Sequence, residues 1–224
     1  MEKRLSMGYK VSIFLLSLSL FSIQTALAKD AKQVLGDFSN GNLSGWEEKS
    51  FQGKTRYQLQ TKEGITVLKA DSNNSASGLF KEQTINLDET PVLNWSWRIE
   101  NKLQGLNEHE KSGDDYAARI YVLVKGGLAF WNAKAINYVW ASQAAKNTVW
   151  KNAFANEQVM MIALKDNKDA VNHWVHEKRN VRTDFKKIIG ADVHTIDVIA
   201  IMSDTDNGHG RVVAHYGDIW FSKD

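Results

Sequence analysis

From residue 33 onward, apolar and polar side chains alternate with period two over most of the chain, the spacing that strands impose. In 92–99, Leu93, Trp95, Trp97 and Ile99 fall on one face, and Asn94, Ser96 and Arg98 on the other. This is a half-buried antiparallel strand with a wet outer side. Segment 118–125 sets Arg119 and Tyr121 against Ile120, Val122 and Val124, while 136–141 groups Ile136, Tyr138 and Trp140. Segment 159–164 is apolar on both alternations, which predicts a central strand covered on both faces. Shorter strands are predicted at 45–51, 55–60, 65–70 and 77–83, separated by Gly, Asn and Ser. Two more, at 196–203 and 211–222, are joined by a loop whose Asn207-Gly208 pair is a hairpin-turn signal. Many short strands with frequent turns predict an all-β fold, an antiparallel β-sandwich.

A single helical pattern interrupts the strands, near residues 183–189. Thr183 is placed to cap its start and Asp184 to complement its dipole. Phe185, Ile188 and Ile189 share a face, and Gly190 can end it in the left-handed conformation. A short connector packed over one end of the sandwich is expected.

The N-terminus has a different pattern. Lys3, Arg4 and Lys10 precede an apolar run over 11–23, and Ala26-Leu27-Ala28 supplies the small residues of a signal-peptidase site. The run is shorter than the roughly 20 apolar residues of a membrane-spanning helix. Residues 1–28 are therefore expected to be a cleaved signal peptide, leaving 29–224 as a single domain in the periplasm or outside the cell, without a stable membrane anchor. Cleavage takes Lys3, Arg4 and Lys10 from the 28 basic residues and Glu2 from the 26 acidic ones, leaving 25 of each. A neutral surface without a basic run argues against nucleic acid and anionic lipid as partners. The chain has no cysteine, so burial must stabilise the fold, and eight Trp, nine Phe and six Tyr supply the area. Thiol catalysis and Cys-ligated zinc are excluded, and His173 and His176, three apart on a strand, do not form a zinc pair. Nucleophile-elbow, phosphate-loop and dinucleotide fingerprints are absent from the sequence.

The candidate ligand-binding residues are polar and aromatic. Asp114 and Asp115 precede the strand bearing Arg119 and Tyr121, and Arg98 projects from the outer face of its own strand. If those two strands are neighbours, Arg98, Arg119 and Tyr121 line one groove, and Tyr138 and Trp140 add flat faces. Sugars are recognised by this mixture, since rings stack on the apolar side of a pyranose and charged groups bond its hydroxyls. The alternative is that Tyr138 and Trp140 are core, with the Asp and Arg residues in a structural ion pair. Asp204 and Asp206 stand two apart in a Gly-rich loop, either a solvated hairpin turn or a binding loop. Asp114, Asp115, Asp204 and Asp206 are weak catalytic candidates, since paired carboxylates bind calcium or cleave glycosides. The spacing around Asp204 does not fit an EF-hand.

Two stretches resemble galactose-binding-like jelly-roll carbohydrate-binding modules. One is 37–46, beginning Asp37-Phe38-Ser39-Asn40-Gly41 and ending at Trp46; the other is the closing Tyr216-Gly217-Asp218-Ile219-Trp220-Phe221. That resemblance implies a jelly-roll form of the sandwich and a candidate structural calcium ion held by Asp218 and Asp37. A longer resemblance is to a family of bacterial secreted proteins catalogued as a domain of unknown function. It is carried by Leu93-Asn94-Trp95-Ser96-Trp97-Arg98, Gly113-Asp114-Asp115-Tyr116-Ala117-Ala118-Arg119 and segments 137–141, 179–185 and 200–207. It implies export and the fold but no activity. The function expected is non-catalytic binding of a carbohydrate or cell-envelope glycan. The alternatives are a polysaccharide-cleaving enzyme with a carboxylate pair and a periplasmic partner in protein assembly.

Overall fold

The computed structural model describes residues 32–127, 133–155 and 157–224. The expected signal peptide lies outside them. Among the described residues, no helix is long and apolar enough to cross a membrane.

Two sheets pack face to face. The first contains β1 (Gln33–Gly36), β3 (Arg56–Lys62), β4 (Ile65–Asn73), β6 (Val92–Ile99), β11 (Val175–Asn180) and β13 (Arg211–Ser222). Its order is β11-β6-β13-β4-β3, with β1 pairing the end of β13 beyond the β4 contacts. The second contains β2 (Glu47–Gln52), β5 (Ala76–Asn86), β7 (Ala118–Val124), β8 (Lys134–Trp140), β9 (Val149–Lys151), β10 (Val159–Lys165) and β12 (Thr195–Asp204), in the order β2-β5-β12-β7-β8-β10-β9. The fold is a β-sandwich, and the alternation in the sequence reappears as burial. Leu93, Trp95, Trp97 and Ile99 meet Ile120, Tyr138, Trp140 and Ile201 in the core between the sheets.

Three features depart from the expected hairpin-connected, wholly antiparallel sandwich. β8 and β10 pair in parallel, with Ile136 opposite Met160 and Tyr138 opposite Ile162, and the connection between them carries the short edge strand β9. β12 and β13 are not a hairpin, because each lies in a different sheet. The loop between them crosses the end of the sandwich, and its positive φ angles fall at His209 and Gly210 rather than at Asn207-Gly208. β13, which follows the other described strands along the chain, sits between β4 and β6 and holds the two halves of its sheet together.

β10 is covered on both faces, as its two apolar alternations require. Ile162 and Leu164 point into the main core, whereas Met161 and Ala163 join Tyr116, Val139, Ala141, Ala144 and Trp150 in a second apolar cluster. The loop ahead of β7 is fastened over this cluster by Glu108, which is buried. Its carboxylate accepts the backbone N–H groups of Ser142, Gln143 and Ala144, the last at 2.8 Å, and its carbonyl accepts the Trp150 indole N–H at 3.0 Å. Gly113 is required in the same loop, because a Cβ there would lie 2.3 Å from the Asn107 carbonyl oxygen.

The helix α1 spans Val181–Ile188. Its cap is Asn180, whose side chain accepts the Thr183 N–H at 2.9 Å, so Thr183 lies inside the first turn instead of preceding it. Val181 and Phe185 are buried in the main core, and Gly190 has the positive φ, 73–83° being common to several turn glycines, that its place after the helix calls for at 76°.

Candidate functional site

Tyr138 and Trp140 do point the same way, but inward. The Trp140 ring lies 5.9 Å from Trp97 and the Tyr138 ring 5.4 Å from Trp95, all between the sheets. The Tyr138 hydroxyl donates to Asp184 at 2.8 Å, and Arg179 forms a two-pronged pair with the same carboxylate. These two rings are core residues and offer no face to a ligand.

Arg98 is also displaced from the expected groove. β6 and β7 lie in different sheets, so Arg98 faces out from one side of the sandwich and Arg119 and Tyr121 from the other. Arg98 pairs with Glu63 and donates to Asn172 at 3.1 Å. Beside it, opposite on β13, His215 is buried and bonds Glu100 at 2.8 Å, and Lys62 donates to the same carboxylate at 2.9 Å. Burial favours the protonated form of Glu100, but the His215 and Lys62 hydrogen bonds outweigh it and hold the carboxyl down to about 2. Burial likewise holds the His215 imidazole below its ordinary value, against the pull of Glu100. Both shifts are depressions, so both contribute stability at neutral pH that is lost as the pH falls, below about 6.5 for His215 and from about 4.5 toward 2 for Glu100. Glu100 is about one-third exposed, which screens the effect. In urea unfolding, the stability gap between wild type and Glu100→Gln is expected to narrow by roughly 1 kcal/mol between pH 6 and pH 3. A gap that stays constant with pH would contradict the role given to this carboxylate.

The remaining candidates do assemble. Arg119 and Tyr121 stand on the outer face of the second sheet, where β7 lies between β12 and β8. Arg119 is buried, its guanidinium 5.1 Å from the ring centroids of both Tyr116 and Tyr121. It donates to Asp204 at 2.6 Å and lies 3.7 Å from Asp114. Asp204, at the end of β12 and also buried, accepts the Tyr116 N–H at 3.2 Å. Asp114 accepts the Tyr116 hydroxyl at 3.1 Å and the Asn152 amide at 3.4 Å. Asp115 holds the crossing loop through the N–H groups of Asn207 at 3.2 Å and Gly208 at 2.6 Å, which explains the loop's position better than a hairpin turn does.

Two carboxylates, Asp204 and Asp114, thus meet the Arg119 guanidinium, and Asp115 and Asp206 lie near enough to couple with them electrostatically. Burial raises the proton affinity of Asp114, Asp204 and Asp206; Arg119 opposes this in each, while Asp115 adds to it. One oxygen each from Asp115, Asp204 and Asp206 lies within 4.8 Å of the others. Calcium needs six to eight oxygens, and here two of the three carboxylates already hold Arg119 and loop amides. The other metal candidates, Asp37 and Asp218, lie at the opening loop and the closing strand as the resemblance implies. Asp218 accepts the Ser39 N–H at 2.8 Å and its hydroxyl at 2.6 Å, and Asp37 accepts the Asn40 amide at 2.7 Å. The tie between the two ends of the chain is made here by hydrogen bonds.

Above Arg119 and Asp204 opens a cavity of about 300 Å³. Its polar floor adds Asp114, Asn152 and Asp206, with Tyr121 and Met202 beside them. At its rim stand Phe51 at the end of β2 and Phe154 after β9, which are 65% and 56% exposed. Neither phenylalanine is among the residues that the sequence pattern marks as ligand-binding. A signal for Phe154 was present, since it is a lone aromatic in the polar stretch 151–158.

Among solved structures, the folded chain is similar to a family 11 carbohydrate-binding module from Clostridium thermocellum in complex with a β-1,3-1,4-mixed-linked tetrasaccharide. That match has 11% identity and a TM-score of 0.44, over 85% of this chain and 95% of that one. It is similar to a family 30 carbohydrate-binding module of a C. thermocellum cellulosomal cellulase at 12% identity and TM-score 0.45, over 88% and 95%. A third similar structure is an endoglucanase from Rhodothermus marinus, at 8% identity and TM-score 0.44 over 84% and 97%. No curated protein sequence matches the chain. Residues 44–220, which include strands β2 to β12, most of β13, the acidic cluster and the crossing loop just described, match the family described as "Protein of unknown function (DUF3047)", and the chain belongs to that family.

Proposed function

We propose that the protein binds carbohydrate, without cleaving it, in the cavity over Arg119. The observation that carries this is the pairing of two exposed phenylalanines at the rim with a floor of carboxylates and an amide. A pyranose has a ring face of C–H groups and an edge of hydroxyls, and this cavity meets each with its complement. Its volume falls at the lower end of the range for small-ligand sites, enough for one or two sugar rings.

Cleavage is the second reading, and a specific feature favours it: Asp114 and Asp206 line the cavity with raised proton affinity, as a general acid would. Against it, Asp114 and Asp204 are held by Arg119, and Asp115 by loop amides, so three of the four carboxylates already have structural partners. Binding therefore has the stronger support.

Calorimetric titration against soluble polysaccharides and peptidoglycan fragments tests the proposal. A saturable heat is expected for at least one glycan, weakened about tenfold in the Phe51→Ala/Phe154→Ala variant. No release of reducing ends from that glycan is expected. Equal affinity in the variant, or no binding across the panel, would sink the binding site as drawn; steady release of reducing ends would replace it with the enzyme.

A further inference from the structure

The opposite side of the sandwich carries a second cavity, of about 350 Å³, on the outer face of the sheet containing β6 and β13. Trp174, just ahead of β11, and Trp220, near the end of β13, line it, and Ser96 and Gly217 contribute where β6 and β13 run side by side. Both tryptophans are half-buried, a state in which a large ring shows part of its surface to solvent. The core accounts for Trp95, Trp97 and Trp140; Trp174 and Trp220 stand outside it on an outer face, where Trp174 meets the His215 ring edge-on at 6.5 Å between centroids.

Charge and hydrogen bonding narrow the ligand. Each charged group in this cavity already has a partner: Lys62 bonds Glu100, Glu63 bonds Arg98, and Asp218 bonds Ser39. Several of its other polar groups do not. Among the described residues, the indole N–H groups of Trp174 and Trp220, the Ser96 hydroxyl and the exposed His176 ring have no hydrogen-bond partner in the protein. Unpaired hydrogen-bonding groups beside two indole rings are suited to the hydroxyl groups and C–H faces of an uncharged ring, and the charged groups of the cavity are already paired. The ammonium group of exposed Lys32 rests 4.4 Å from the Trp220 ring centroid, so that ring face is reachable, and an exposed lysine is readily displaced from it.

We propose that this cavity is a second carbohydrate site, for an uncharged glycan, with Trp174 and Trp220 as its stacking platforms. It goes beyond the acidic cavity over Arg119 and does not depend on it. With sites on opposite outer faces, one molecule would hold two glycan chains at once and gain avidity for a polymer that either site alone would bind weakly.

Affinity electrophoresis of the protein through gels containing hydroxyethylcellulose, mixed-linked β-glucan or dextran tests this. Retardation is expected in at least one gel, and the Trp174→Ala/Trp220→Ala variant should bind that polymer at least about tenfold more weakly. The Phe51→Ala/Phe154→Ala variant, altered only in the first cavity, should keep the binding of this second site. His176→Ala, a change at an exposed side chain, should weaken binding in the same gel and covers the case in which the double tryptophan variant does not fold. Wild-type mobility unchanged in all three gels overturns the proposal. So does retardation that survives loss of both tryptophans, or that is abolished by the phenylalanine pair alone. The last outcome would leave the first cavity as the glycan site, whereas loss confined to the tryptophan variant would stand even if the first cavity bound nothing.

Discussion

Replacing Arg119 with methionine is expected to lower the unfolding free energy by about 3–5 kcal/mol, the cost of leaving a buried ion without its partner. Asp204 is 1% exposed and Arg119 3%, and the 2.6 Å bond joins a guanidinium to a carboxylate that also receives the Tyr116 N–H. Without the guanidinium, Asp204, Asp114 and Asp115 repel one another in a desolvated space, and the loop from β12 to β13 loses its footing. A second substitution, Asp204→Asn, should restore part of the loss in the double variant, because the amide oxygen still accepts from Tyr116 and the stranded charge is gone. Urea titration of the two single variants and the double variant measures this. A cost below about 1 kcal/mol for Arg119→Met would mean that the cluster is hydrated and the pair behaves as a surface bridge.

Trp140→Ala is expected to cost a similar 3–5 kcal/mol, here through a cavity. The ring is 2% exposed and packs 5.9 Å from Trp97 across the two sheets. Trp140→Phe should cost much less, since it keeps most of the apolar volume and removes an indole N–H that is buried with no partner. Thermal unfolding ranks the two variants. If Trp140→Ala instead left the melting temperature unchanged and abolished glycan binding, the ring would be a ligand platform and its inward placement would be wrong.

Trp140 also illustrates which parts of the molecule can be read along the chain. Period-two alternation places Ile136, Tyr138 and Trp140 on a common face and Arg119 with Tyr121 on another, and both groupings hold in the structure. Alternation does not say which face is the inner one, and the presence of Ile136 beside the two rings was the available clue. Nor does it say which strands share a sheet. Arg98 was grouped with Arg119 on the supposition that β6 and β7 are neighbours, and sheet membership depends on contacts between distant segments. The strands β1, β9 and β11 are not marked by alternation for local reasons, β1 and β9 being four and three residues long and Val175–Asn180 carrying Glu, Lys and Arg at three of its six positions. The acidic cluster was half legible. Asp114 and Asp115 stood out beside Arg119, while their meeting with Asp204, 85 residues further on than Arg119, depends on the crossing loop.

β13 has a bearing on how the protein is made. β13 follows every other described strand along the chain yet is an inner one, and β4 with β3 on one side and β6 with β11 on the other are joined by strand pairing only through it. β1, the first strand, pairs with it as well. Synthesis proceeds from the N-terminus, so a nascent chain can form pieces of this sheet but cannot join them by strand pairing until β13 has emerged. The pairings it must then make are separated by nearly the whole chain, which places folding in the slow, milliseconds-to-seconds regime of non-local β topologies. Until that point both pieces present unpaired strand edges. A sheet that stays open until β13 arrives is exposed to aggregation through those edges in the meantime.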